Sequence, residues 1–125
     1  MTDATARILI VEDDPGLAKV IRWTFSQDAF ELHTASSGEE ALRLFPQLSP
    51  DLVILDCGLP GLSGVDVCTE IRSSPIRARI PILMLTGEAD LETRFLAEKA
   101  GVDHYMLKPF SPKGLREKAL ELLRS

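Results

Sequence analysis

The chain has 125 residues, 45% of them hydrophobic and 26% charged, with a formal net charge of −5 at pH 7. That size and apolar content suit one domain with its own core, and the acidic balance excludes a basic stripe able to neutralise nucleic-acid phosphates. Met1 to Ala6 are too short and acidic for a signal peptide or membrane span; they are expected to be a disordered tail before a single domain over 7–125, while Cys57 and Cys68 suggest reduced thiols in the cytoplasm.

Arg7 to Val11 is a β-branched apolar strand that ends in Glu12-Asp13-Asp14. Pro15 then fits the first position of a helix capped by Asp14, with Leu17, Ile21 and Phe25 as its inner stripe. Lys19, Arg22 and Ser26 fall on its outward face and Trp23 on its flank. Phe30 to Thr34 reads as a second strand, and Glu39 to Phe45 as a helix stopped by Pro46. Asp51 to Asp56 is a third strand; Leu52 to Leu55 are all apolar, as burial on both faces requires. After the Gly58–Gly64 loop comes a helix carrying Val65, Val67, Cys68 and Ile71. Ile80 to Thr86 is a fourth strand, with Pro81 tolerable only near its start. Leu91 to Ala100 is a helix closed by Gly101, Asp103 to Leu107 a fifth strand, and Pro112 opens the last helix.

Five strands alternating with five helices imply an α/β fold, a doubly wound parallel sheet covered on both faces. Right-handed crossovers leave few arrangements, among them the flavodoxin-like (βα)5 order 2-1-3-4-5. In that order the switch point lies between the first and third strands, where Glu12, Asp13 and Asp56 arrive together. Thr86 and Lys108 reach the same edge from the fourth and fifth strands. Taken singly, each has an ordinary task as a cap, a turn residue or a solvated lysine. Their convergence needs a common cause.

Three clustered carboxylates repel by roughly 3 kcal/mol per pair at about 5 Å and an effective dielectric near 20. A hard divalent cation, Mg²⁺ or Mn²⁺, removes that cost. An Asp56 carboxylate placed between a metal and the Lys108 ammonium stays ionised and can attack phosphorus. The same cations, a Thr86 hydroxyl and backbone N–H groups suit the equatorial oxygens of in-line phosphoryl transfer. Gly87 leaves room beside Thr86.

On these residues the chain resembles the receiver (CheY-like) domains of two-component response regulators. The matching features are Glu12-Asp13, Asp56 ahead of Leu59, Pro60 and Gly64, then Thr86, and Tyr105 with Lys108-Pro109-Phe110. Together they span the chain from Arg7 to about Leu123. The resemblance implies that Asp56 accepts a phosphoryl group from the phosphohistidine of a sensor histidine kinase or phosphotransfer protein. It implies a metal held by Glu12, Asp13, Asp56 and the Gly58 carbonyl, and phosphoryl contacts from Lys108, Thr86 and the backbone of Cys57 and Gly87. It further implies a cis Lys108–Pro109 bond and a switch made of Thr86 and Tyr105. The switch would alter the face of the fourth helix, fifth strand and fifth helix to regulate an output domain or effector protein.

So read, the chain is a regulatory phosphoacceptor rather than an enzyme, with only its own phosphorylation and slow autodephosphorylation to perform. It binds no nucleic acid or membrane directly and is a monomer or a phosphorylation-dependent dimer. Gly58 departs from the many members with a polar residue there that influences hydrolysis; Glu88 could meet the attacking water. Gly114 and His104 stand where dimerising transcription-factor receivers often carry acids. Other classes compete less well. A haloacid-dehalogenase phosphatase needs a second acid where Gly58 stands, and a cobalamin module needs His there. A flavodoxin's FMN would be repelled by the three acids after the first strand.

Overall fold

The computed structural model describes residues 5–74, 79–87 and 91–124; Glu88 and residues 1–4 of the expected tail lie outside the described residues. Ten elements alternate along the chain: β1 (Arg7–Val11), α1 (Pro15–Thr24), β2 (Glu31–Ala35), α2 (Gly38–Leu48), β3 (Leu52–Asp56), α3 (Gly64–Arg72), β4 (Ile82–Thr86), α4 (Leu91–Ala100), β5 (His104–Leu107) and α5 (Pro112–Arg124). All strand pairs are parallel, in the order β2-β1-β3-β4-β5. This is the expected flavodoxin-like arrangement. Ala6 already takes part in the edge pairing, since its carbonyl accepts the Glu31 N–H at 2.9 Å.

The two-residue period of the strands divides the core in two. Ile8, Ile10, Leu52, Ile54, Leu83 and Leu85 face the side where α1 and α5 contribute Ile21, Phe25, Leu115 and Ala119. Leu9, Val11, Val53, Leu55, Ile82 and Met84 face the opposite side, against Phe45, Val67, Cys68, Ile71 and Ala97 from α2, α3 and α4. A fully buried aliphatic side chain of this kind contributes roughly 1.5–3 kcal/mol. The central strands β1, β3 and β4 thus have no wet face, which explains their unbroken apolar runs.

Most helix starts follow local chemistry. Asp14 caps α1, accepting the Gly16 N–H at 2.9 Å, and Pro15 takes the first turn. Ser37 caps α2 by accepting the Glu40 N–H at 3.1 Å. Ser63 and Asp66 form a reciprocal capping box on α3.

Pro46 does not stop α2, contrary to the sequence expectation; the helix runs on to Leu48. Proline there removes a single N–H in the last turn, and Phe45, 5% exposed, holds that turn on the core beside the half-buried Leu48. The end comes at Ser49, in the left-handed region with φ 49°. Strand β2 is one residue later than expected, and β4 begins only after Pro81. Among the described residues no helix is long and apolar enough to cross a membrane.

Candidate functional site

The register brings the strand ends into line. Val11 lies opposite Leu55, so Glu12 is level with Asp56. Asp56 pairs with Leu85 and Thr86 with Leu107, which sets Thr86 and Lys108 along the same edge. Carboxylate oxygens of Glu12, Asp13 and Asp56 all lie within 4.8 Å of one another. Glu12 and Asp56 are buried, at 3% and 5% exposure, whereas Asp13 is exposed.

Among the described residues, Lys108 is the cation in contact with the buried pair. Lys108 Nζ donates to Asp56 Oδ1 at 2.6 Å and stands 3.5 Å from Glu12 Oε1. Burial works against the ammonium, but the hydrogen bond and charge of Asp56, with the charge of Glu12, raise its pKa above the ordinary value. Burial and then the Asp56 charge push the Glu12 pKa up, against the opposing pull of the Asp14 N–H and Lys108. Glu12 Oε2 accepts that Asp14 N–H at 3.2 Å. Glu12 Oε1, by contrast, is buried and has no hydrogen-bond partner.

A buried carboxylate oxygen whose ion-pair partner stands 3.5 Å away, beside two further carboxylates, is a costly arrangement for a folded chain. Hard oxygen donors at this spacing fit a divalent cation such as Mg²⁺, which would lower that cost. Gly58 lies beside the Asp56 carboxylate: a Cβ there would stand 3.9 Å from Asp56 Oδ2, in ordinary van der Waals contact. Among the described residues, Gly87 has nothing within 4 Å of the position its Cβ would take.

Thr86 is buried and its carbonyl accepts the Lys108 N–H at 2.7 Å. The Lys108–Pro109 peptide is cis. Tyr105, half-buried on β5, lies beneath the Arg94 guanidinium of α4, 5.9 Å from the ring centre. The sequence reading missed Arg94, because which way α4 turns over β5 has no signature in residue spacing. The Cys57 N–H, expected at the phosphoryl group, donates in this structure to the Leu85 carbonyl at 2.8 Å. Strand pairing between β3 and β4 simply continues one residue past Asp56. Cys57 is half-buried and Cys68 fully buried; Cys68 Sγ reaches the Ala100 carbonyl at 3.3 Å.

Trp23 is 66% exposed on α1, beside Val20. His33 bonds to Glu31 at 2.6 Å on the edge strand, far from any metal-like group. Neither histidine joins the acidic cluster.

Comparison with known proteins agrees with this geometry. Residues 8–120 match the response regulator receiver domain family. The chain is 42% identical over 118 residues to the protein named Probable transcriptional regulator ycf27 of Guillardia theta, covering 94% of this chain and 45% of that one. It is 39% identical over 118 residues to the DNA-binding response regulator MtrA of Mycolicibacterium smegmatis, covering 94% and 50%. The chain therefore spans about half the length of these curated relatives. Among solved structures, a CheY-like receiver domain from Methanospirillum hungatei superposes with a TM-score of 0.91 at 29% identity, over 97% of this chain and 95% of that one. With a family match along nearly its whole length, the same strand order and the acids at the expected strand ends, the chain belongs to the response regulator receiver domains.

Proposed function

We propose that this domain is a phosphorylation-controlled switch in which Asp56 takes a phosphoryl group from the phosphohistidine of a sensor kinase or phosphotransfer protein. The observation that carries the reading is the unbalanced site: three clustered carboxylates, with the Lys108 ammonium hydrogen-bonded to Asp56 Oδ1 and 3.5 Å from Glu12 Oε1. Lys108 orients the Asp56 carboxylate through one oxygen and leaves Oδ2 to attack. The new O–P bond forms as the donor N–P bond breaks, and the electron pair returns to the imidazole nitrogen. Glu12, Asp13, Asp56 and the Gly58 carbonyl are the groups that would hold Mg²⁺ or Mn²⁺. When bound, that ion supplies positive charge to the phosphoryl oxygens during transfer.

Lys108 then neutralises one phosphoryl oxygen, and the Thr86 hydroxyl and Gly87 N–H donate to others. Charge-assisted bonds of this kind are worth about 1.5–3 kcal/mol each. Two of them cover most of the roughly 5.5 kcal/mol needed to reverse a 1:99 equilibrium. Movement of Thr86 draws Tyr105 inward from beneath Arg94, which changes the surface of α4, β5 and α5. That surface already exposes Leu91, Phe95, Leu96 and Leu107, and it would contact an output domain or effector protein. The cytoplasm is the setting in which such a kinase would meet it.

Incubation with acetyl phosphate and Mg²⁺ tests the assignment. Intact-mass spectrometry is expected to show one added phosphoryl group, absent in Asp56→Asn. Equal labelling of the variant would overturn Asp56 as the acceptor.

A further inference from the structure

Gly64 begins α3, and its N–H donates to the Cys57 carbonyl at 3.0 Å. A Cβ added there would lie 2.8 Å from Cys57 Cα and 3.1 Å from the Asp56 carbonyl carbon, and closer still to the Asp56 carbonyl oxygen. All three are main-chain atoms of the acceptor segment and cannot swing aside as a side-chain tip can. That segment is also tied to β4 by the Cys57 N–H on Leu85. Gly64 has no positive φ, so what glycine supplies here is space rather than an unusual backbone shape.

The same loop is pressed from its other side. Gly38 opens α2, and a Cβ on it would meet Val67 Cγ2 at 2.7 Å and the Leu62 carbonyl oxygen at 2.9 Å. Two helix starts therefore close on this region, Gly64 against the Asp56–Cys57 main chain and Gly38 against Leu62 and Val67. Both contacts are specific to the edge that carries Asp56.

We infer that Gly64 is a positioning residue for Asp56. By letting the first turn of α3 rest directly on the Asp56–Cys57 peptide, it sets where the Asp56 carboxylate and Gly58 carbonyl stand relative to Glu12 and Asp13. The inference rests on the reading of Asp56 as acceptor. A side chain at position 64 must either rotate that peptide or lift α3. Displacement of a reacting group by about 1 Å costs up to roughly 100-fold in rate.

The test compares Gly64→Ala with Gly101→Ala, which strains a φ of +104° at the opposite edge and whose three nearest atoms all belong to the Arg72 side chain. Three quantities are read beside the melting temperature: metal-free amide shifts of Asp56, Cys57 and Gly58, the Mg²⁺ dissociation constant from their titration, and the acetyl phosphate labelling rate at saturating Mg²⁺. Gly64→Ala is expected to move those amides, weaken Mg²⁺ about tenfold and slow labelling at least tenfold. Gly101→Ala should lower the melting temperature and leave the other readings at wild-type values. Wild-type affinity and rate in Gly64→Ala, or equal losses in Gly101→Ala, would overturn the inference. Should Gly64→Ala fail to fold, Gly38→Ala decides: a roughly threefold loss in the same direction supports it, and wild-type values refute it. Wild-type protein that takes no label would instead remove the acceptor reading, while the metal-free amide shifts still judge Gly64.

Discussion

The two edges of the sheet use the same charged groups to opposite ends. At the edge where the strands begin, Arg72 donates to the Gly101 carbonyl at 2.9 Å, the Ile80 carbonyl at 2.7 Å and Asp103 Oδ2 at 2.7 Å. Asp103 Oδ2 also accepts the Ile82 N–H at 2.7 Å, and Asp51 accepts the Arg7 N–H at 2.8 Å. These charges are paired, and Arg72 and Asp103 tie α3 to the starts of β4 and β5. At the edge where the strands end, three carboxylates share one ammonium and Glu12 Oε1 has no hydrogen bond. A balanced set of charges closes a fold; an unbalanced one suits the cation and phosphoryl group proposed above.

The sharpest break of this contrast is Arg72→Ala. It removes the Arg72 donors from two backbone carbonyls and takes the ion-pair partner from Asp103, which keeps the Ile82 N–H, in a region where the Arg72 side chain is 19% exposed. A loss of about 3 kcal/mol is expected in urea denaturation, with labelling of Asp56 per folded molecule unchanged. A loss well below 1 kcal/mol would reduce the network to a surface contact.

The strand-end edge should respond in the reverse sense. Mg²⁺ at ten times its dissociation constant should add about 1.4 kcal/mol of stability, seen as a rise in melting temperature. An unchanged melting curve would remove Glu12 and Asp13 as the metal pair. Glu12→Gln should abolish that rise and stabilise the metal-free protein by about 1 kcal/mol at pH 7. The sign follows from the raised pKa of Glu12: its ionised form is disfavoured by folding, so the destabilisation grows as pH rises through the folded pKa and is absent below the unfolded value, near 4.3. A destabilised Glu12→Gln would mean that the pairing with Lys108 outweighs burial and repulsion.

The difference between the edges also explains what could be read from the residues alone. Glu12, Asp13, Asp56, Thr86 and Lys108 each follow an apolar run, so alternating strands and helices suffice to bring them to one edge. Asp14 and Pro15 reveal the start of α1 because capping is local. The balanced edge was opaque. Arg72 and Asp103 are 31 positions apart, and nothing near either one marks the other. Pro46 misled because local propensity argues for a stop, whereas the burial of Phe45 decides that the turn persists. The role of Gly64 is visible only once α3 is laid against β3.

A third ion pair extends the comparison to the flank of the sheet, where balance and exposure coincide. Arg116 on α5 donates to both oxygens of Asp28, at 2.8 and 2.7 Å, and so fastens α5 to the segment after α1. The hydrogen bonds from Arg116, opposed by burial and aided by its charge, hold the Asp28 carboxyl below its ordinary value. A depressed folded pKa means that the pair's contribution is complete above the unfolded value, near 3.9, and fades as pH falls through the folded one. Arg116→Met should therefore lower the melting temperature slightly at pH 7 and by the same amount at pH 5, with the gap to wild type closing below about pH 4. Because the guanidinium is 43% exposed, salt should also narrow the gap at pH 7. A gap that persists at low pH would mean that the arginine stem acts by packing, and the flank would then owe nothing to the charge balance seen at the strand starts.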